Sequence, residues 1–209
     1  MDMIARRDAQ KAFVVDERVL QEHYACQRKL QVYNQVDRDD FDTMRRLAKD
    51  LLGKGENALI KPPFFCDFGK NIFAGDNLFI NYNCTILDSG PVTIGHDCRF
   101  APNVAVYTAG HPIHPSTRAT DFEYGKEVTI GDYTWIGGSS VICPGVHIGA
   151  CCVIGAGSVV THDIPAWSIA VGNPCRVVRK ITEEDRRNLL HGEQIDDEAW
   201  QEIVTKFPF

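Results

Sequence analysis

The chain has 209 residues, 44% of them hydrophobic and 24% charged, which suits one sizeable globular core with at most a small satellite. A formal charge of −6 supplies no basic field for a phosphate backbone, and no Lys/Arg stripe with interleaved aromatics occurs, so no nucleic-acid partner is expected. No apolar run reaches the length of a membrane span, and the opening MDMIARRDAQKAF lacks the apolar stretch and cleavage site of a secretory leader, so the cytoplasm is the expected location.

Residues 1–60 read as a helical segment. Asp16 precedes ERVLQEHYACQRKLQVYNQ, and RDDFDTMRRLAKDLLGKG follows, ending at Gly53. Each run has acidic residues early, apolar residues at three-to-four spacing and basic groups later, the pattern of a short amphipathic helix. Two roles are open to this pair: covering an exposed end of the next domain, or also shaping a substrate pocket.

Residues 61–180 keep a period of six. Phe68, Ala74, Ile80 and Ile86 are in phase; after a two-residue insertion Ile94, Phe100 and Val106 resume it, and Ile130, Ile136, Ile142, Ile148, Ile154 and Val160 carry it unbroken. Four positions after each aliphatic residue runs a second column of small ones, including Cys84, Cys98, Thr134, Ser140, Val146, Cys152 and Ser158. A helix cannot hold such a column on one face, because its face recurs every three or four residues. A strand segment plus a corner can. Stacked coils then bury a continuous aliphatic ladder, with Gly131, Gly137, Gly149 and Gly155 expected to relieve backbone strain near the corners. The fold class is mainly β, a parallel β-helix whose open ends need covers.

The loop 108–127 breaks the period. Val106 and Ile130 are a whole multiple of six apart, yet VYTAGHPIHPSTRATDFEYGKEVTIG cannot continue the pattern, so the segment is an excursion from one coil. Long polar loops on rigid scaffolds carry function. Pro112 and Pro115 stiffen this one, and Phe122 and Tyr124 can pack. His111 stands at its start, where the coil fixes its backbone, and an imidazole suits taking a proton from a hydroxyl and returning it to a leaving group. A zinc site would need further histidines at compatible spacing, and His96, His147 and His162 form no such cluster with His111 and His114, so no metal is expected. No nucleophile elbow or phosphate-binding loop is present.

Residues 181–209 read as a helical extension. ITEEDRRNLLHG opens on a Thr182 to Asp185 capping pattern and stops at Gly192, and DEAWQEIVTKF offers a last amphipathic turn or two. The eight cysteines contain no C-x-x-C pair or zinc-ribbon interval and are read as small buried hydrophobes.

The motifs NYNCTILD, IGHDCRFAPNV, GHPIHP, EYGKEVTIGDYTWIGG, VIGAGSVVTHDIP and GNPCRVVRKI resemble those of the hexapeptide-repeat acyltransferases, and within them the maltose and galactoside O-acetyltransferases, from about Phe13 to Lys180. The resemblance implies a left-handed parallel β-helix, a homotrimer, and acetyl-CoA bound as co-substrate between neighbouring subunits. It implies direct acetyl transfer to a hydroxyl of a maltose- or glucose-like sugar, with His111 as general base, Asn81 near the acceptor hydroxyl and the Gly138 N–H toward the oxyanion. Trp135 and Asp16 fall at acceptor-cleft positions. Gly138, Ala156, Thr161, Arg176 and Arg179 fall at coenzyme positions, where guanidinium forks suit a nucleotide phosphate. Trp135 as a trimer contact, Asp16 as a helix cap and the CRVVRK stretch as a solvated basic run remain open beside these roles. His162 replaces the family's usual lysine, Ser89 an acceptor aspartate of the galactoside enzymes and Glu123 their methionine, so EYGK leans toward the maltose type. Alternatives are a xenobiotic or amino-acid acceptor, or a non-catalytic binding module.

Overall fold

The computed structural model describes residues 1–189 and 192–206. Three parallel sheets recur in fixed rotation. Sheet one contains Leu59–Ile60, Phe79–Ile80, Arg99–Phe100, Trp135–Ile136, Val153–Ile154 and Ser168–Val171; sheet two contains Phe64–Cys66, Cys84–Leu87, Ala105–Tyr107, Val141–Ile142 and Val159–Val160; sheet three contains Ile72–Ala74, Val92–Ile94, Val128–Ile130 and His147–Ile148. The chain visits one, two, three and then one again, which makes a three-sided prism, the left-handed parallel β-helix.

The six-residue column is the ladder inside it, with one correction: Cys66, not Phe68, is the register partner of Ile86, because a two-residue insertion falls before Ala74 as well, and Phe68 packs in a separate apolar cluster. Ile80, Phe100, Ile136 and Ile154 are register partners in sheet one, Ile86, Val106, Ile142 and Val160 in sheet two, and Ala74, Ile94, Ile130 and Ile148 in sheet three; all are buried. Each such side chain removed from water stabilises the fold by roughly 1.5–3 kcal/mol.

The second column does more than save space. Cys84 Sγ donates to the Ala101 carbonyl at 3.3 Å, Cys98 to Gly131 at 3.2 Å and Cys152 to Pro165 at 3.3 Å. Thr134 and Ser140 do the same to Gly149 at 3.2 Å and Gly155 at 3.0 Å. These thiols are therefore hydrogen-bond donors to corner carbonyls rather than plain hydrophobes, and Cys143 and Cys151 are only half-buried.

The glycine expectation needs correcting. Left-handed backbone falls three residues after nine of the ladder positions from Ala74 to Val160, at Asn77, Asn83, Asp97, Asn103, Tyr133, Ser139, Gly145, Cys151 and Gly157, but not after Ile86, Val106 or Val160. Gly131 is there for another reason: a Cβ on it would lie 2.4 Å from the Ala150 nitrogen of the next coil. Coil spacing, and not dihedral freedom, selects it.

Helices α1 (Met3–Asp8), α2 (Glu17–Tyr33) and α3 (Phe41–Leu51) precede the prism, each started by an aspartate, Asp2, Asp16 or Asp40, that accepts a backbone N–H. α1 is absent from the sequence reading. Cys26, Leu30 and Tyr33 of α2 and Ala48 and Leu51 of α3 join the prism core. Polar side chains then finish the exposed edge of the first coil: Asn34 both donates to and accepts from the Phe64 backbone at 2.9 Å, and Gln27 donates to the Cys66 carbonyl at 2.9 Å. Asn34 thus imitates a neighbouring strand. Among the described residues no helix is long and apolar enough to cross a membrane.

Residues 180–209 form a separate compact unit. The helix expected to run to Gly192 is a 3-10 turn, Glu183–Arg187, because Asn188 becomes extended and bridges Gln194. A final helix, Asp197–Lys206, follows. Leu190, His191 and Phe207, over which the expected helices also ran, lie outside the described residues.

Candidate active site

The prism has three edges, and the candidate residues occupy two. On the first, between sheets one and two, Asn81, Gly138 and Ala156 each follow a sheet-one strand, Gly138 and Ala156 on adjacent levels and Asn81 two levels before Gly138, with Ala101 and Pro102 between. Asn81 is held by its N–H to the Phe100 carbonyl at 3.0 Å, and its Oδ1 accepts the Tyr82 N–H at 2.8 Å. The Gly138 carbonyl accepts from Gly157 at 2.8 Å, but among the described residues no acceptor takes the Gly138 N–H. It is a fixed and unused donor on a half-buried corner. Trp135, 54% exposed, stands on the adjoining outer face, between Arg99 and Val153 in register.

The second edge, between sheets two and three, carries the excursion. Thr108, fully buried, donates to the Leu87 carbonyl and accepts from Gly90, both at 2.7 Å, while its carbonyl accepts the Lys126 N–H at 2.9 Å. The arm is thereby clamped at both ends. It rises as a short antiparallel ribbon, Ala109–Gly110 against Tyr124–Gly125. Gly110 lies under the Tyr124 ring, where a Cβ would come within 2.6 Å of it. At the tip, α4 (Pro115–Arg118) is capped by His114, whose Nδ1 accepts from the Ser116 N–H at 3.3 Å, and Arg118 donates to the carbonyls of Pro112 and Ile113.

His111 is exposed and borders a cleft of about 730 Å3 with Val14, Val15, Arg118, Thr120, Asp121 and Glu123. Burial pushes the Glu123 carboxyl up, and the charge of His111 pulls it back, so the two side chains sense each other. Asp67, raised by burial and again by Glu123, lies in the same field, 4.0 Å from His23. The Glu123 backbone exchanges two hydrogen bonds with Phe13, at 2.9 and 2.8 Å, which brings the segment before Asp16 to the cleft. Asp16 itself caps α2, its Oδ1 accepting from Val19 at 3.0 Å. Ser89 is buried against the base of the arm.

Of the coenzyme positions, Thr161 also lies on the second edge, with its Oγ1 2.9 Å from His162 Nδ1. A smaller cleft of about 320 Å3 is bordered by His162, Asp163, Cys175 and Arg176. Arg179 is exposed. Within one chain sheet two separates His111 and Thr161 from Asn81, Gly138 and Ala156. Sequence reasoning found both sets but missed Thr108, Asp67 and the Phe13 contact, and it met Glu123 only as a departure from a pattern. The EYGK motif drew attention to Glu123; nothing in local spacing marked Thr108, Asp67 or Phe13.

Residues 127–162 match the family model described as bacterial transferase hexapeptide, six repeats. The chain is 38% identical over 186 residues to a galactoside O-acetyltransferase of Lactococcus lactis, covering 88% of this chain and 90% of that one. A solved galactoside acetyltransferase in complex with coenzyme A superposes with a TM-score of 0.89 at 37% identity, over 94% of this chain and all (100%) of that one. A maltose O-acetyltransferase from Clostridium difficile 630 gives 0.85 at 40% identity, over 88% of this chain and 99% of that one.

Proposed function

The chain belongs to the hexapeptide-repeat acyltransferases, among the galactoside and maltose O-acetyltransferases, and from that premise we propose that it moves an acetyl group from acetyl-CoA to a hydroxyl of a maltose- or glucose-like sugar. The observation that carries this reading is the division of labour between the two edges. A base on one edge and an unused N–H donor on the other are halves of an acyl-transfer site that one chain keeps apart.

A second copy brings them together. When the His111 edge of one subunit faces the Gly138 edge of the next, the contact is head-to-tail, and three repetitions close a ring. The outward register rows flanking the first edge are mainly apolar and favour such burial: Leu59, Phe79, Trp135, Val153 and Ile169 with Arg99 on sheet one, and Phe65, Val141 and Val159 with Thr85 and the already buried Ala105 on sheet two. We therefore assign a homotrimer with three shared sites. A cytoplasmic setting fits a reaction that draws on acetyl-CoA and a chain with eight free cysteines.

In this mechanism His111 takes the proton of the sugar hydroxyl as its oxygen attacks the thioester carbonyl. The Gly138 N–H receives the oxyanion of the tetrahedral intermediate, and the Asn81 amide orients the acceptor. Collapse breaks the C–S bond, and the imidazolium returns its proton to the coenzyme sulfur. Glu123 favours that imidazolium, and Arg176, Arg179, Thr161 and Ala156 hold the nucleotide end.

The test is thiol release from acetyl-CoA across maltose, glucose, galactosides, chloramphenicol and serine, with a no-acceptor blank for the protein's own thiols. Sugar-dependent release that falls about 10²–10⁴-fold in His111→Ala is expected. Release with chloramphenicol or serine alone would replace the acceptor class, and none from a folded trimer would end the transferase reading.

A further inference from the structure

Residues 3–13 pack outside the main prism core, touching the coils at Phe68, and a buried charge and their backbone converge on the arm that carries His111. Arg7 is fully buried near the end of α1. Its guanidinium lies 2.7 Å from Glu22 of α2, 2.8 Å from Asp8 and 4.5 Å over the Phe68 ring. Beside it Phe13, Val19 and Phe68 form a small apolar cluster of their own, with Met3 and Ile4 packed on it. From there Phe13 exchanges its two backbone bonds with Glu123, and the Gln10 side chain accepts the Glu127 N–H at 3.0 Å. Both attachments grip the returning half of the arm, on either side of Tyr124–Gly125.

A guanidinium withdrawn from water persists only where partners are held against it, so Arg7 marks a segment fixed with some force. We propose that residues 3–13 are a strap that fixes the returning half of the arm, and that Arg7 is a positioning residue for His111 and Glu123, acting through Phe13. This rests on His111 being the base. An unstrapped arm would move Glu123 among its charged neighbours, His111, Asp67, Asp121 and Arg118, and acyl transfer tolerates little such displacement. The coil stack would be spared, because Glu22 keeps Lys70 at 2.9 Å and the base of the arm keeps Thr108.

The experiment uses the full chain and two readouts on Arg7→Met, Arg7→Lys, Glu123→Gln and the Arg7→Met/Glu123→Gln double variant. The first is amide hydrogen exchange, which needs no activity. In Arg7→Met the Phe13 and Glu123 amides should exchange about 10- to 100-fold faster, the Lys126 amide less than about threefold faster, and Arg7→Lys should fall between. The second is kinetic. Acceptor kcat/KM should drop about tenfold while KM for acetyl-CoA moves less than about twofold, and the double variant should lose little beyond Glu123→Gln alone. Unchanged exchange at Glu123, an equal rise at Lys126 or fully additive losses would each overturn the strap. If the wild type transfers no acetyl group, the assigned reaction fails, and exchange still decides the strap. Should Arg7→Met not fold, Gln10→Ala replaces it, with about a threefold rise at the Glu127 amide expected and no rise overturning the proposal.

Discussion

The first and second edges of the prism hold candidate chemistry by opposite means. On the first, the repeat runs without interruption and contributes main chain: the Gly138 N–H is aimed by the same turn that recurs at Asn83, Asn103, Ser139 and Gly157. On the second, the repeat is broken to present side chains, and those need a clamp at Thr108, a ribbon and a contact from residue 13. A repeat can place a backbone dipole with no added parts. It cannot place an imidazole away from its own surface without a second layer of support.

The sharpest way to break this comparison is Gly138→Pro. Pro102 and Pro144 occupy the same place, two residues past a ladder residue and one before a left-handed one, so the turn accepts proline. The variant should fold with an unchanged melting temperature while kcat drops about 10²–10³-fold, the loss typical of one oxyanion donor. A retained rate would show that the regular edge contributes no chemistry. Next in size, Ile136→Ala beneath that edge should lower unfolding free energy by about 2–5 kcal/mol in denaturant titration, against little change for His111→Ala.

Asp88 tests the second edge. It is buried, accepts N–H groups from Asp67, Phe68 and Asn71, and burial pushes its carboxyl up to about 6 from 3.8. A raised carboxyl favours the folded state below the lower value and loses that contribution as pH rises through the higher one. Between pH 4 and pH 7 the wild type should therefore lose on the order of 2 kcal/mol more stability than Asp88→Asn, as read by unfolding at the two pH values. Equal losses would show that this carboxylate is as well solvated as in the unfolded chain. The smallest effect is expected at Asp16. Asp16→Asn keeps the cap and should change stability by less than about 0.5 kcal/mol, whereas Asp16→Ala should lose about 1 kcal/mol. A several-fold rise in sugar KM in both would add a contact to the cap; an unchanged KM would leave the cap alone.

Much of the prism was legible because a side chain every sixth residue admits one explanation, and the ladder from Ile130 to Val160 states it without a gap. The left-handed column three residues later was not read. Asn77, Asn83, Asp97 and Asn103 announce it, but Tyr133, Ser139 and Cys151 are not residues that suggest such backbone. The candidate base, His111, showed itself as an interruption. Its support did not, since MIARRDAQ has no apolar stripe to mark α1, and a charged residue such as Arg7 is expected outside. Long-range pairings such as Phe13 with Glu123 leave no trace in local spacing.

The donor column inside the prism has a practical reach. Serine and threonine at some levels make the bond that cysteine makes at others, so Cys84, Cys98 and Cys152 are exchangeable for serine without orphaning a carbonyl. With the half-buried Cys143 and Cys151 replaced as well, a single reporter thiol at the tip of the arm would stand out from the buried ones. The motion of the arm against the prism could then be followed by fluorescence.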